Sequence, residues 1–245
     1  MLSITMKSLT PDRFLQSQGF GSRKECQKLV LAGLFSFEGE IIVDLKRELY
    51  PLNQSEVGLE FSIGGHTYFF REKVYLALNK PSGYECSASP QHHLSVFDLL
   101  PDYLVNRGIQ SAGRLDQNTT GLLLLSDDGE FIHHMTSPKH HIHKTYEVGT
   151  RDPITQDQKN LLLNGVQLRG EPGPDKALEV KILGEFLMEM KIDQGKYHQV
   201  RRMIAATGNF CETLRRTAEG NLNLESLELN SGQWTFLDKY NFHDK

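Results

Sequence analysis

Cysteine is scarce in this 245-residue chain: Cys26, Cys86 and Cys211, with no C-x-x-C pair. An odd, widely spaced set argues against a disulfide framework or a structural zinc site and fits a reducing compartment. Long apolar runs are missing as well. No stretch approaches the ~18 residues of a membrane span, and the opening MLSITMKS lacks a basic-then-apolar signal pattern. These absences predict a cytosolic chain with no membrane partner. In such a compartment the two N-x-[ST] matches, at Asn53 and Asn118, carry no meaning. Neither a phosphate-binding P-loop nor a dinucleotide fingerprint is present, so no nucleotide cofactor is indicated. Excess positive charge is lacking too, the formal net charge being -4.

That charge is unevenly spread. Residues 1–30 carry Lys7, Arg13, Arg23, Lys24 and Lys28 against two acids, and residues 191–216 carry six Lys and Arg against two acids. Clustered cations on an acidic background can form an RNA-facing surface, although ordinary solvated faces produce the same tally. With 38% hydrophobic and 24% charged residues, the chain suits one larger globular domain plus a small one.

Helix punctuation is clear at the start. Thr10 as N-cap, Pro11 at the first helical position and Gly19 beyond the end predict a helix over 10–18. Ser22 with Glu25 three residues on predicts a capping box, and Gly33 the stop of that second helix. Alternation then predicts strands at Phe35/Phe37 and Ile41/Val43, and a hairpin around Gly64-Gly65. The aperiodic segment 46–58, with Pro51 and Gly58, reads as a linker, dividing the chain into residues 1–58 and 59–245.

The run Leu122 to Leu125, bounded by Thr-Thr-Gly and Asp-Asp-Gly, reads as a fully buried strand. Before it, Gly113-Arg114-Leu115-Asp116-Gln117-Asn118-Thr119-Thr120-Gly121 places one carboxylate, Asp116, on a loop mounted on that strand. By itself Asp116 reads as an Asx-turn residue. Five histidines between 133 and 143 suggest a metal, but adjacent pairs on a strand point to opposite faces and Cys or carboxylate partners are not evident. Helices are expected near 95–100, 130–135, 155–163 and 198–207, with strands at 74–79, 146–148, 177–183 and 186–192. On the 198–207 helix, Val200, Met203, Ile204 and Thr207 form the inward stripe, with His198, Arg201 and Ala205 on an adjoining face.

The segment GRLDQNTTGLLLLSDDG resembles the central motif of the pseudouridine synthases, in the branch that modifies ribosomal RNA. LNKPSGYECS at 78–87 resembles the family's first motif, giving Lys80 a supporting role; Lys144-Thr145-Tyr146 resembles its K-x-Y element; GKYHQVRRM at 195–203 resembles its third motif. The first fifty residues resemble an α-L RNA-binding module, on the words GFGSRKECQKLVLAGL. The implied fold is α+β: a small helix–loop–helix and strand module, then a catalytic domain of mixed, mainly antiparallel sheet with flanking helices.

The resemblance implies that Asp116 is the catalytic carboxylate, that Arg201 pairs with it and lowers its pKa, and that Tyr146 packs on the uracil. Arg114 is the natural group to fill the gap left by a flipped uridine. Lys144, Arg202, Arg23, Lys24 and Lys28 are the expected substrate contacts. Breaking the C1′–N1 bond and rejoining through C5 is redox-neutral, so no cofactor and no metal are expected. Asp116 as nucleophile and Asp116 as base toward the 2′ proton both stay open. The expected partner is ribosomal RNA or a partly assembled subunit, met by a monomer. The small-subunit RNA is favoured because the N-terminal module and the HHLSVFDLLP and SPKHH stretches look more like that subgroup than its large-subunit relatives. A large-subunit enzyme, a non-catalytic RNA-binding assembly factor and a metal-dependent phosphodiesterase using Asp116, Asp127, Asp128 and the histidines are the alternatives.

Overall fold

The punctuation at the start of the chain works as expected. A computed structural model describes residues 8–50 and 58–238; Lys7, Pro51, Asn53 and most of the expected linker lie outside the described residues. Pro11–Ser17 is helical with Thr10 as its N-cap, and Arg23–Leu31 is helical with Ser22 and Glu25 forming the reciprocal capping box. Their inward faces bury Phe14, Leu15, Cys26 and Val30. Phe14 sits at the centre of an aromatic cluster, its ring 5.1–5.7 Å from those of Phe35, Phe37, Phe61 and Phe70. Each such ring contributes about 1.5–3 kcal/mol by burial, and well-placed pairs add about 0.5–1.5 kcal/mol.

The chain divides into two compact units: residues 1–74 with 100–109, and residues 75–99 with 110–245. The hairpin strands Glu60–Ile63 and His66–Phe69 extend the small sheet built on Phe35–Phe37, with Phe37 opposite Phe61. The boundary expected at residue 58 thus falls later, after the hairpin, because Phe61 completes the first unit's core. The segment 100–109, with a one-turn helix Asp102–Val105, also joins it. Tyr103 stacks on Phe20 at 5.4 Å, and Asn106 Nδ2 donates to the Gly19 carbonyl. Gly19 is obligatory here: φ is +84°, and a Cβ would lie 1.8 Å from the Tyr103 carbonyl oxygen.

The second unit is built on a mixed sheet in the order Glu179–Gly184, Leu187–Ile192, Lys144–Thr150, Cys211–Glu219, Thr120–Ser126, Tyr75–Lys80, Trp234–Phe236. Within that order every pairing is antiparallel except Cys211–Glu219 against Thr120–Ser126. Leu122 to Leu125 are fully buried in the interior of this sheet, which accounts for their unbroken apolar run. Asp128 then caps the helix Gly129–Thr136 and accepts a hydrogen bond from Tyr75 Oη at 2.6 Å. Among the described residues no helix is long and apolar enough to cross a membrane.

One row across this sheet prepares the site. Lys80 pairs with Gly121, Gly121 with Arg216, Arg216 with Tyr146, and Tyr146 with Met190. The two parallel strands meet closely at Gly121. Its φ is +101°, and a Cβ there would lie 2.1 Å from the Arg216 carbonyl oxygen, so only glycine fits.

Candidate active site

Asp116 sits in the loop just before the strand Thr120–Ser126, and that loop is fastened from below. Lys80 is fully buried, and its ammonium donates to the carbonyls of Pro81, Gln117 and Thr119 at 2.9–3.0 Å. Burial lowers the Lys80 pKa. Three carbonyl dipoles stand in for the water that the ammonium loses on burial. Further ties come from Gly83 N–H to the Gln117 carbonyl (3.1 Å), Thr119 N–H to the Asp116 carbonyl (3.0 Å) and Leu115 N–H to Cys86 Sγ (3.4 Å). The Asp116 carboxylate makes no Asx-turn bond among the described residues; it faces outward into a small cleft, about one third exposed.

The cleft has a volume of about 70 Å³ and is walled by Arg114, Tyr146, His198 and Val200, among others. His198 Nε2 lies 3.3 Å from Asp116 Oδ1, closer than Arg201 Nε, which lies 4.0 Å from Oδ2. Arg201 also donates to the Cys211 carbonyl at 2.9 Å, which holds the guanidinium over the Asp116 side of its helix. His198 precedes the helix Gln199–Ala206 rather than riding its face: it is the N-cap, in the left-handed region at φ +48°. That conformation departs from the helical position read from periodicity and is what aims the imidazole at Asp116. Val200, Met203 and Ile204 are buried as expected; Thr207 is the C-cap.

Tyr146 is buried to 7% exposure, with its ring in the cleft wall and Arg216 as its cross-strand partner. Burial pushes the Tyr146 hydroxyl up. Arg216 itself is fully buried, donates Nε–H to the Leu122 carbonyl at 2.7 Å, and stands 3.0 Å from Glu219 Oε2. Nη2 and both Glu219 oxygens lack a well-aligned hydrogen bond, so this pair is held by charge more than by directed bonding. Burial raises the Glu219 pKa, opposed by Arg216 and Lys144. Lys144 is turned toward Glu219 at 3.9 Å and donates to the Ile142 carbonyl, outside the cleft lining.

The expected substrate cations fall into two groups. Arg114 is exposed at the cleft and has no ion-pair partner among the described residues. Arg202, by contrast, is engaged with Glu171 (3.1 Å) and the carbonyls of Arg169 and Tyr197. In residues 191–216, Lys196, Arg201, Arg202, Arg215 and Arg216 each face a carboxylate within 4.0 Å, so the cation tally overstates the free positive charge. In the first unit Arg23 is bound to Asp12 at 2.7 Å, while Lys24 is exposed and Lys28 lines a concavity with Gly21, Ser22 and Tyr103. The histidine rings of His134 and His140 lie 4.4 Å apart, and His141 Nδ1 lies 3.1 Å from Asp193 Oδ2. Among the described residues no group of three His, Cys, Asp or Glu is placed to hold a metal ion.

The site thus offers one carboxylate on a rigid loop, flanked by an imidazole and a guanidinium and walled by a buried tyrosine. Periodicity alone missed His198, Arg216 and Glu219 as a set, because their roles depend on strand register and one left-handed residue.

Comparison with known proteins places this arrangement. Residues 74–206 match the family described as RNA pseudouridylate synthase. The ribosomal small subunit pseudouridine synthase A of Haemophilus influenzae is 35% identical over 218 residues, 89% of this chain and 91% of that protein. A Bacillus subtilis protein described as an uncharacterized RNA pseudouridine synthase is 34% identical over 95% of this chain and 96% of its own length. A crystal structure of a pseudouridylate synthase superposes with a TM-score of 0.64 at 33% identity, covering 95% of this chain and 97% of that one. With the family match running from the first strand of the second unit through the helix that carries Arg201, the chain belongs to the RNA pseudouridylate synthases.

Proposed function

We propose that this enzyme isomerises a uridine of small-subunit ribosomal RNA in the cytosol, with Asp116 as the catalytic carboxylate. The observation that carries the reading is the placement of Asp116: the loop around it is tied down by Lys80, yet its carboxylate opens into a cleft beside Tyr146. Relatives named for the small ribosomal subunit align over about nine-tenths of both chains, which supports that RNA over the large-subunit one.

On this reading the target uridine leaves its stack and lies against Tyr146, and Arg114, exposed at the cleft rim, occupies the vacated space. Asp116 then acts at the sugar or the ring while His198 and Arg201 hold its charge and orientation. Arg23, Lys24 and Lys28 on the first unit contribute salt-dependent phosphate contacts. Lys144 and Arg202 act as braces in this picture, since their polar ends are directed at protein groups.

The test is tritium release from RNA labelled at uracil C5, using small- and large-subunit rRNA with wild type and Asp116→Asn. Release from the small-subunit RNA alone, abolished by the substitution, is expected. Release from large-subunit RNA only would overturn the subunit assignment, and unchanged release by Asp116→Asn would overturn the role of the carboxylate.

A further inference from the structure

Tyr197 is the most exposed large apolar side chain among the described residues, at 77%. Exposure of this degree is unremarkable on a loose loop, but this ring is neither loose nor remote. It stacks nearly flat on the imidazole of His198, with centroids 3.9 Å apart and planes at 18°. His198 in turn reaches Asp116 at 3.3 Å. The backbone beneath the ring is fixed: Arg202 Nη1 donates to the Tyr197 carbonyl at 3.2 Å, and Lys196 N–H donates to buried Gln199 Oε1 at 3.1 Å. Lys196 Nζ adds an ion pair with Asp175 at 2.7 Å. Three polar anchors thus hold a flat aromatic surface beside the reacting carboxylate, with one face covered by His198 and the ring otherwise open to solvent.

We propose that Tyr197 is a stacking platform for a nucleobase flanking the target uridine, so that it determines which unpaired sequences the site accepts. The inference rests on the RNA–uridine reading of the cleft. Once the uridine is extruded, its neighbour loses a stacking partner and presents a bare π-face. Single-stranded RNA is commonly gripped by stacking such bases on aromatic rings, and a rigid ring does so at low entropic cost. The Tyr197–His198 pair extends the RNA stack by two rings and ends it at Asp116. A base seated there also presses the imidazole toward the carboxylate, linking recognition of the neighbour to orientation of the catalytic group.

The experiment measures tritium release at limiting and saturating RNA on both rRNAs, with wild type, Tyr197→Ala, Tyr197→Leu, Tyr197→Phe and Tyr197→Trp. Stacking on one base predicts that Ala and Leu lower kcat/KM by about 5- to 150-fold, chiefly through KM, and that Phe and Trp recover it. A single abasic nucleotide beside the mapped target should then weaken wild type by a similar factor and leave Tyr197→Ala almost indifferent. Three results would overturn the inference alone: Ala within twofold of wild type, Leu as good as Phe, or a fall in kcat at unchanged KM. The last would make the ring a prop for His198. Turnover of neither rRNA by wild type would overturn the underlying reading, and this inference with it.

Discussion

His198, not Arg201, is the cationic or proton-bearing side chain nearest Asp116, at 3.3 Å against 4.0 Å. Both contacts come from one short helix start, and they divide the work: the imidazole meets one carboxylate oxygen and the guanidinium the other.

Removing the imidazole should therefore slow turnover without erasing it. His198→Ala is expected to lower kcat by roughly 10- to 100-fold, the effect of losing about 1.5–3 kcal/mol of a contact to a charged group. Single-turnover tritium release checks this. A variant as fast as wild type would leave Arg201 as the sole orienting group.

Lys80 offers a test in which stability and activity fall together. Lys80→Met removes an ammonium serving three carbonyls and leaves them buried and unsatisfied, at a cost of about 2–4 kcal/mol. Denaturant melts should show that loss. Activity should drop further than the folded fraction explains, because the Asp116 loop is no longer tied down.

The pair Arg216 and Glu219 predicts a non-additive cycle. Glu219→Ala leaves a buried guanidinium without its counter-charge and should destabilise by roughly 3–5 kcal/mol. Replacing both by apolar residues of similar volume should cost less in stability than the sum of the two single changes. Activity of the double variant should still fall, since Tyr146 loses its charged cross-strand partner and the Leu122 carbonyl its buried donor.

Asp12 sets an acid limit on the first unit. Burial opposes its ionisation, but hydrogen bonds from Thr10, Arg23, Gln27 and the Arg13 N–H outweigh it and hold the carboxyl well below the usual range. A depressed folded pKa contributes stability above the unfolded value, near 3.9, and that stability is lost as pH falls through the folded pKa. Circular dichroism melts should thus show wild type losing stability below about pH 4. Asp12→Asn should be less stable at neutral pH, by roughly 1–3 kcal/mol, and flatter below pH 4.

Much of this architecture can be read from local signals. The capping residues Ser22 and Glu25, the apolar run 122–125 and the alternation at 186–192 each act over a few residues, and each element formed where its signal lay. Asp116 and Tyr146 line one cleft, and Arg201 lies 4.0 Å from Asp116. What escaped reading is non-local. Glu171 and Asp175, in a polar Gly/Pro stretch, neutralise Lys196 and Arg202 from 21 to 31 positions away. The close approach at Gly121 and the row from Lys80 to Tyr146 depend on register between strands distant in sequence. Periodicity places His198 on the helix because it does not report the sign of φ.

The return of residues 100–109 to the first unit also sets a clock. A chain emerging from the ribosome has completed the Phe14 cluster by residue 74, but Tyr103, Asn106 and Arg107 have yet to be made. Arg107 later donates to the carbonyls of Arg71 and Glu72, and Tyr103 to the stack on Phe20. The 35 residues between 74 and 109 take about 2–7 s at 5–20 residues per second. During that interval the Gly19 turn and one face of Phe20 stand uncovered. A nascent chain paused inside this window is therefore the form most exposed to sticking to its neighbours.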